Sequence, residues 1–418
     1  MRVGVSYTPA QGWFHSWLDL DLGQVRADFD QVAGLGLDHV RLFPLWPLLQ
    51  PNRGLVRPSA LADLVAVCDV AAEAGLTVSV DALNGHLSSF DFLPSWVTTW
   101  HRQNLFTGPE AVAGEIALVK AVAEAVRDHP AVTGVTLGNE LPQYAAAVEP
   151  HRHPDCSVVS VAEADTWFGQ LFGALSDSWP QGRHHHGFDD DLWFVDRHPF
   201  TPRHAVTWGA ATTVHAWVFM QVAPRFGAGH PALAAFPRYL LELARAWSPD
   251  PERGLWLQEV GAPRGHVGDP ARYLSDVVDA LVGTPGLEAV TWWCSHDVDR
   301  SLLDFPELEY SLGLLTSDGR PKPEALVLAE RLPELRAAPA PRADQGPVLD
   351  FCADPLTGSG RSVTAPTGEL FAAWVEQYAA GTVPRLRLQQ AVVKGDLPGG
   401  GVVHEPEGPL DTADVAGQ

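Results

Sequence analysis

Cysteine is scarce in this chain, and its placement suits neither cross-linking nor metal binding. Four of the 418 residues are cysteines, and each lies far from the others along the sequence. Structural zinc sites need ligands at short, regular spacing, and disulfide frameworks occur in small secreted domains that are rich in cysteine. The sequence therefore predicts neither kind of cross-link at Cys68, Cys156, Cys294 and Cys352.

Positive charge is also in short supply. Lys and Arg number 28 against 51 Asp and Glu, so the formal net charge at pH 7 is −23. Nucleic acids and anionic membrane surfaces are bound by clustered Lys and Arg side chains. We therefore expect neither as a partner, while the oligomeric state stays open.

Long apolar runs are missing, and so is an export signal. No stretch approaches the roughly 20 apolar residues that a membrane-spanning helix needs. Residues 1–9 lead directly into a strand-like segment, without the basic stretch and apolar core of a signal peptide. We therefore expect a cytoplasmic protein.

The chain does contain a repeated alternation of strand and helix. The predicted strands cover residues 3–8, 39–43, 77–83, 132–140, 182–188, 212–219, 254–260 and 287–294. The predicted helices cover residues 22–35, 59–74, 109–127, 161–178, 231–246, 270–282 and 322–335. Such alternation gives βαβ units and a parallel sheet, and eight strands fit a closed (β/α)₈ TIM barrel of the α/β class. No glycine-rich dinucleotide fingerprint follows the first strand, as an open nucleotide-binding sheet would require.

The composition changes after residue 337, where an alanine- and proline-rich linker begins. Residues 348–352, 369–374 and 383–389 are interpreted as strands of a small β-rich module. Glycine, proline and acidic residues predominate from residue 395 onward, which is typical of disorder. The predicted domains are a catalytic barrel at 1–337, a C-terminal β-rich module at 338–394 and a disordered tail at 395–418.

Two glutamates stand at the ends of strand-like apolar runs. Glu140 closes Val-Thr-Leu-Gly-Asn-Glu in the fourth unit, and Glu259 closes Leu-Trp-Leu-Gln-Glu in the seventh. A carboxyl group at the tip of a buried strand is costly to desolvate, so Glu is seldom buried there without a partner or a task. In a barrel, these two strand ends face each other across the mouth where catalytic residues gather.

Carboxylates that face each other in this way are what a retaining glycosidase requires. One attacks the anomeric carbon and the other protonates the leaving oxygen, with the two groups about 5–5.5 Å apart. The negative charge of the nucleophile is expected to raise the pKa of the acid and keep it protonated. The alternative is that both glutamates are helix-capping or loop carboxylates without a chemical role.

Several features of the barrel segment together resemble glycoside hydrolase family five, whose members are retaining enzymes of clan A on a (β/α)₈ barrel. They are Arg41 on strand two, the Asn139-Glu140 pair, His215 on strand six, Glu259, and the tryptophans Trp292 and Trp293 on strand eight. The resemblance covers about residues 1–337.

The resemblance implies a role for each matching residue. Glu140 would be the acid/base and Glu259 the nucleophile. Arg41 would orient the nucleophile and pair with its charge, and Asn139 would hydrogen-bond the 2-hydroxyl of the sugar. Trp293 is favoured over Trp292 as the floor of that sugar's subsite, because alternation puts the two on opposite faces.

The strand-six segment departs from the family pattern at one position. Family members usually carry Tyr two residues after the strand-six His215, with its hydroxyl on the nucleophile. Here Trp217 stands in that place. Its indole N–H can donate instead, which leaves open how Glu259 is held.

Further substrate contacts are predicted in the loops around the mouth. The loops after strands three and eight are long and polar, and tryptophans in loops suit stacking against sugar rings. The candidates are His86, Asp297 and Trp46, and for each a loop-stabilising hydrogen bond is the alternative.

Histidine clusters offer a weaker alternative, a metal site. Consecutive histidines at 184–186 point to alternate faces of a strand and cannot all bind one ion. The cluster of His151, His153 and Asp155 lies in a proline-rich loop without a matching partner elsewhere. We therefore expect no metal and no cofactor.

The long loops predict a closed pocket, which suits release of a single sugar from a chain end. The segments Gly-His-Leu-Ser-Ser-Phe-Asp-Phe-Leu-Pro-Ser-Trp and Trp-Trp-Cys-Ser-His-Asp-Val resemble a bacterial β-mannosidase-like branch of family five. That resemblance implies an exo-β-mannosidase for short oligosaccharides such as the mannose-β-1,4-N-acetylglucosamine unit of N-glycan cores. An endo-β-1,4-mannanase or other β-glycanase is the alternative, and a metal-dependent barrel hydrolase or isomerase is a remote one.

Overall fold

A computed structural model describes residues 1–98, 103–146, 156–337 and 346–390. The strands are β1 Arg2–Ser6, β2 His39–Leu42, β3 Thr77–Asp81, β4 His86–Leu87, β5 Phe90–Asp91, β6 Val132–Thr136, β7 Ala145–Ala146, β8 Ser157–Val158, β9 Thr212–Ala216, β10 Leu255–Val260, β11 Leu287–Trp292, β12 Val348–Ala353 and β13 Arg385–Gln390. The α-helices are α1 Leu22–Gly34, α2 Trp46–Leu49, α3 Pro58–Glu73, α4 Pro109–Val126, α5 Val161–Ser178, α6 Pro202–Thr207, α7 Val222–Phe226, α8 Pro231–Trp247, α9 Arg264–Val267, α10 Pro270–Leu281, α11 Pro323–Arg336 and α12 Glu369–Ala379. The predicted cluster of His151, His153 and Asp155 and the predicted tail at 395–418 lie outside the described residues.

A curled parallel sheet forms the centre of the molecule. Its strands run in the order β6-β3-β2-β1-β11-β10-β9. The first strand of the chain, β1, pairs in parallel with both β2 and the last barrel strand, β11. This pairing brings the two ends of the strand–helix repeat together, so the predicted TIM-barrel-like α/β fold is confirmed.

The gap between β6 and β9 is filled by residues 182–188, the predicted fifth strand. The His185 N–H donates to the Val135 carbonyl at 3.0 Å on the β6 side. On the other side, the Ala210 N–H donates to the His184 carbonyl at 2.8 Å. The segment therefore closes the barrel with individual hydrogen bonds and one β-bridge rather than a regular ladder.

Local capping explains where the helices begin. The Asp21 carboxylate accepts the first free N–H groups of α1, and Asp269 does the same for α10. Ser160 and Glu163 form a reciprocal capping box at the start of α5. Proline occupies the first turn of α3, α4, α8, α10 and α11, where its missing N–H costs nothing. Across the described ranges, no helix is both long and apolar enough to span a membrane.

The C-terminal module differs from the sequence prediction in one element. Residues 348–352 lie in strand β12, and residues 385–389 of the predicted 383–389 lie in strand β13, with which β12 pairs in parallel. Residues 369–374, predicted as a strand, instead begin helix α12. The reason is the spacing of the buried side chains, which recur every three to four residues and so follow the helical period: Phe371, Trp374 and Val375.

Helix α12 packs on barrel helix α8. The Tyr239 ring of α8 lies 4.8 Å from the Phe371 ring and 5.5 Å from the Trp374 ring, measured between ring centres. Phe351 and Leu386 of the small sheet belong to the same hydrophobic core as the barrel. The module is therefore joined to the barrel through shared apolar burial.

Candidate active site

A cavity of about 580 Å³ opens where the barrel strands end. Its position follows from the direction of the parallel strands, whose carboxyl ends all reach the same rim. Both predicted glutamates line it, with further predicted residues: Glu140, Glu259, Asn139, His86, Trp217 and Trp293.

Arg41 lies beneath the cavity floor and is fully buried. Its Nη1 donates to Glu259 Oε1 at 2.7 Å, as the predicted pairing required. Its Nη2 donates to Asn139 Oδ1 at 2.7 Å, which fixes the amide of that residue at the rim. One guanidinium thus sets the positions of two predicted site residues at once.

Asp81 is the other partner of Arg41, and the sequence analysis missed it. Its two carboxylate oxygens accept from Arg41 Nε at 3.0 Å and Nη2 at 2.6 Å. This is the bidentate geometry for which a guanidinium is suited. Asp81 ends the buried strand β3, so the cost of burying a carboxyl at a strand end, which singled out the two glutamates, could have identified it.

Glu140 is held by two hydrogen bonds and by a special backbone conformation. Its Oε1 lies 2.6 Å from His215 Nδ1, and its Oε2 accepts from Gln143 Nε2 at 2.6 Å. Its φ angle of 46° lies in the left-handed region that residues other than glycine seldom adopt. Backbone outliers of this kind cluster at functional sites. The strand therefore stops at Thr136, earlier than predicted, and the turn aims the Glu140 carboxyl into the cavity.

The two glutamates approach closely across the barrel mouth. A carboxylate oxygen of Glu140, a ring nitrogen of His215 and a carboxylate oxygen of Glu259 all lie within 4.8 Å of one another. His215 Nδ1 is also 3.4 Å from Glu259 Oε2. This separation agrees with the short carboxylate spacing of retaining enzymes and falls below the roughly 6.5–9.5 Å of inverting enzymes.

Trp217 takes the place of the usual tyrosine and does contact the nucleophile candidate. Its indole Nε1–H donates to Glu259 Oε2 at 3.2 Å. Glu259 therefore receives a charged donor on one oxygen and a neutral donor on the other. Trp217 therefore still supplies a hydrogen-bond donor to the nucleophile candidate, although it is not the tyrosine usual in the family.

The electrostatics of the pair differ from the sequence expectation. Burial tends to raise the pKa of Glu140, but the hydrogen bond from His215 and the charges of His215, His86 and Arg41 outweigh it, so the pKa is lowered. Burial raises the pKa of Glu259, and the charge of Glu140 adds to this against His215 and Arg41. The predicted increase for Glu140 in the unliganded site is therefore wrong, because His215 rather than Glu259 is its nearest charged neighbour.

The strand-eight tryptophans divide as expected, whereas two loop candidates do not reach the cavity. Trp293 lines the cavity and Trp292 does not. Trp46 is fully buried, and its Nε1 donates to Gln50 at 2.9 Å. Asp297 accepts from Lys322 Nζ at 2.8 Å and from the Gly313 N–H at 2.9 Å. Both therefore have the loop-stabilising roles that were the alternative, because their polar atoms are used within the protein.

Aromatic side chains join the loops on one side of the cavity. The Phe305 ring, from the loop after strand eight, lies 4.7 Å from Phe90 and 4.9 Å from Trp13, between ring centres. Phe90 belongs to the hairpin after strand three, and Trp13 to the loop after strand one. These rings, which we call the aromatic wall, pack the three loops together beside the cavity-lining residues Ser89 and Pro306.

Glu309, in the loop after strand eight, was also missed by the sequence analysis. It lines the cavity, and burial raises its pKa to about 7. A partly protonated carboxyl near neutral pH can both donate and accept hydrogen bonds. Sequence reasoning did not single it out, because it lies in an acidic loop among several similar side chains.

The site is poorly suited to a metal ion. Among the described residues, Glu140, His215 and Glu259 are the group whose ligand atoms come close enough to share one. A cation there would face the Arg41 guanidinium, which already holds Glu259. Of the three consecutive histidines, the His185 ring lies against Trp256 and the His186 ring against Phe188.

This chain resembles several solved structures, although two other comparisons found no similar protein. A scan against models of protein families and a search of curated proteins each found no match. Solved structures match closely. The chain is 49% identical to GH5_18 from Streptomyces cattleya in complex with GlcNAc, with a TM-score of 0.89 and 93% of each chain covered.

Two further structures carry a disaccharide. A Glu-to-Ala variant of the Streptomyces cattleya GH5_18 in complex with Manβ1-4GlcNAc is 48% identical, with a TM-score of 0.88 over 93% of this chain and 94% of that one. A Glu-to-Ala variant of GH5_18 from Bifidobacterium longum subsp. longum, in complex with the same disaccharide, is 38% identical, with a TM-score of 0.88 over 93% and 91%. The predicted family and enzyme class are confirmed. The chain belongs to the GH5_18 group of family 5 glycoside hydrolases.

Proposed function

We propose that this protein is a retaining exo-β-mannosidase that releases mannose from short oligosaccharides of the Manβ1-4GlcNAc type. The observation that carries the proposal is the approach of carboxylate oxygens of Glu140 and Glu259 to within 4.8 Å at the mouth of one barrel. That spacing suits double displacement. The sugar is suggested by the GH5_18 structures from two genera in complex with Manβ1-4GlcNAc.

The first half of the reaction breaks the glycosidic bond. The Glu259 carboxylate attacks the anomeric carbon and forms a glycosyl ester, while the leaving oxygen takes a proton from Glu140. Arg41, at 2.7 Å from Glu259 Oε1, orients the nucleophile and balances its charge. The GlcNAc portion leaves as an alcohol.

The second half releases mannose. Once Glu259 is esterified, Glu140 is the free carboxylate beside the anomeric carbon, and it takes a proton from an incoming water. The water oxygen attacks the anomeric carbon from the face that the leaving group occupied and breaks its bond to the Glu259 oxygen, so the configuration is retained. Glu259 is restored as a carboxylate, and the proton gained by Glu140 resets the acid.

Other residues of the cavity are assigned to sugar binding. Asn139 is proposed to bind the 2-hydroxyl of the mannose, because Arg41 fixes its amide beside Glu140. Trp293 is proposed as the platform for the ring, and His86, whose Nδ1 is 3.0 Å from Asp91, as a rim contact. Each of these side chains lines the cavity.

Exo action is favoured by the aromatic wall formed by Trp13, Phe90 and Phe305. A polymer needs a groove open at both ends, whereas a wall on one side leaves room for a chain end. An endo-β-1,4-mannanase is therefore the less favoured interpretation.

A cytoplasmic location fits a substrate small enough to be imported, and fractionation of producing cells tests it. The domain limits at 337 and 394 also remain proposals.

The substrate is tested with a matched panel. The purified protein is incubated with Manβ1-4GlcNAc, mannobiose, chitobiose and mannan, and products are followed by chromatography. We expect mannose and GlcNAc from the first and little or nothing from chitobiose and mannan. Release of internal fragments from mannan with no action on the disaccharide would replace this proposal by the endo reading.

The two carboxylates are tested by substitutions with opposite signatures. Glu259→Ala is expected to abolish turnover and to regain it with azide, giving the inverted glycosyl azide. Glu140→Ala is expected to keep cleavage of dinitrophenyl β-mannoside, whose leaving group needs no proton, while losing at least about 100-fold on the disaccharide. Equal losses on both substrates would remove the acid role from Glu140.

A further inference from the structure

Gln258 lies beneath the two glutamates, immediately before Glu259 on β10, and it is fully buried. Its Oε1 is 3.2 Å from His215 Nε2, and its Nε2 is 3.4 Å from Thr136 Oγ1. The side chain touches neither glutamate directly. It contacts the histidine that holds Glu140.

The direction of the Gln258 amide is set by Thr136, its hydrogen-bond partner on the side away from His215, and by Asp81 near Thr136. Both oxygens of Asp81 are paired with a guanidinium, so this carboxylate only accepts hydrogen bonds. The Gln258 NH₂ group donates to the Thr136 hydroxyl oxygen at 3.4 Å. The Thr136 hydroxyl proton can then point toward the Asp81 carboxylate, where it opposes the rise in pKa that burial gives that group. Ser79 Oγ, 3.4 Å away, can donate to the same Thr136 oxygen. The Gln258 carbonyl is then the group that faces His215.

This direction determines which nitrogen of His215 carries hydrogen. A carbonyl oxygen only accepts, so Nε2 must be protonated to bond with Gln258. Nδ1 and Glu140 Oε1, 2.6 Å apart, then share one proton between them. The proton lies either on the ring nitrogen or on the carboxyl, and in both cases it stays within the Glu140–His215 pair.

We propose that Gln258 is a positioning residue that keeps this proton in the Glu140–His215 pair, available for the leaving oxygen. Loss of the proton leaves lone pairs facing each other. If the remaining ring hydrogen stays on Nε2, Nδ1 faces the Glu140 carboxylate, and if it moves to Nδ1, Nε2 faces the Gln258 carbonyl. Because both outcomes are unfavourable, the pair retains its proton to higher pH. The inference rests on the proposed acid role of Glu140.

Other charged and titratable groups face the pair and contribute to its titration. These groups are Glu259, Arg41, Asp81, His86, His186 and Glu309. They are unchanged in every variant below, so a difference between two variants reports the loss of the substituted amide or hydroxyl.

The test is the pH profile of kcat/KM for Gln258→Leu. The substitution removes the carbonyl, so His215 can place its hydrogen on Nδ1 and donate to an ionised Glu140. We expect the alkaline limb for Manβ1-4GlcNAc to move down by about one pH unit, the effect of one hydrogen bond. At pH 8 the disaccharide should lose roughly tenfold, while dinitrophenyl β-mannoside changes by less than about twofold.

A control of opposite sign comes from Gln143. Its Nε2 donates to Glu140 Oε2 and stabilises the ionised carboxyl. Gln143→Leu is therefore expected to move the alkaline limb to higher pH. Thr136→Val, which removes the partner that orients the Gln258 amide, is expected to give a smaller downward shift and serves if Gln258→Leu does not fold.

A histidine NMR measurement tests the tautomer without relying on activity. Two-bond proton–nitrogen correlations, assigned with His215→Asn, are expected to show a protonated Nε2 in the wild type across pH 6–8. The hydrogen should move to Nδ1 in Gln258→Leu. Failure of the wild type to cleave either mannoside would count against the proposed function alone. An unshifted alkaline limb, equal loss on both substrates, or an unprotonated Nε2 in the wild type would overturn the role of Gln258.

Discussion

Arg41 shows how much of this site depends on the chemistry of single side chains. Its planar guanidinium donates four hydrogen bonds, two to Asp81 and one each to Glu259 and Asn139. A lysine has the same charge but cannot hold three partners in one plane. The nucleophile candidate and its neighbouring amide therefore share one rigid support, which is the preorganisation that stabilises developing charge in a transition state.

At the same scale, the Trp217 position can be tested by a pair of substitutions. Trp217→Phe keeps an aromatic ring but removes the N–H that donates to Glu259 at 3.2 Å. A hydrogen bond to a buried charge contributes about 1.5–3 kcal/mol, so kcat/KM should fall roughly 10–100-fold. Trp217→Tyr restores a donor and is expected to stay closer to the wild type. If Phe and Tyr behave alike in steady-state kinetics, the indole N–H has no part in holding the nucleophile.

At the scale of elements, we propose that the aromatic wall closes one side of the active-site cavity and so favours exo over endo cleavage. Phe305→Ala removes the ring that contacts Phe90 and Trp13. We expect kcat/KM for the disaccharide to fall by roughly tenfold, equivalent to about 1.4 kcal/mol, and internal cleavage of mannopentaose to become detectable. The matched control is Leu303→Ala in the same loop, where the side chain is 72% exposed. Unchanged product patterns in Phe305→Ala would show that something else blocks longer chains.

The packing of α12 on α8 makes a prediction about stability rather than rate. Trp374 is fully buried, and its Nε1 donates to the Pro384 carbonyl at 2.9 Å, which ties α12 to β13. Trp374→Ala should lower the free energy of unfolding by about 3–5 kcal/mol, as truncation of large buried aromatics does. Denaturant unfolding measures this, with exposed Glu376→Ala as control. A separate early transition with the main one unshifted would indicate that the module does not stabilise the barrel.

At the scale of the whole molecule, buried titratable groups outside the site set the pH range of stability. Burial raises the pKa of Glu115 to about 8, although its hydrogen bond from Trp167 opposes this. Burial lowers the pKa of His39 and of His185 to about 3. The folded chain thus binds more protons at Glu115 and fewer at the histidines than the unfolded chain does.

These shifts act in opposite directions. The Glu115 contribution is complete below about pH 4.5 and is lost as the pH rises toward 8, by an amount on the order of 5 kcal/mol. The histidine contribution is complete above about pH 6.5 and is lost as the pH falls toward 3. Glu115→Gln keeps the acceptor for Trp167 but cannot ionise, so its melting temperature should exceed that of the wild type increasingly from pH 5 to pH 8. Glu110→Gln, exposed on the same helix, is the control and should show no such trend.

Local patterns in the sequence were sufficient to predict the main helices and strands and the parallel arrangement of the strands. The alternation of strand-like and helical segments located the long barrel helices within a few residues. The cost of burying a carboxyl at a strand end singled out Glu140 and Glu259. The same reasoning failed at residues 369–374, where a short apolar run was taken for a strand although its side chains follow the helical period.

Tertiary structure alone decided which polar groups meet. Arg41 and Glu259 are 218 positions apart, and His215 and Glu140 are 75 apart. No local period encodes such pairs, since they depend on the curvature that closes the sheet. For this reason the barrel brought in Asp81, Gln258 and Gln143, and it left Trp46 and Asp297 with partners inside the protein.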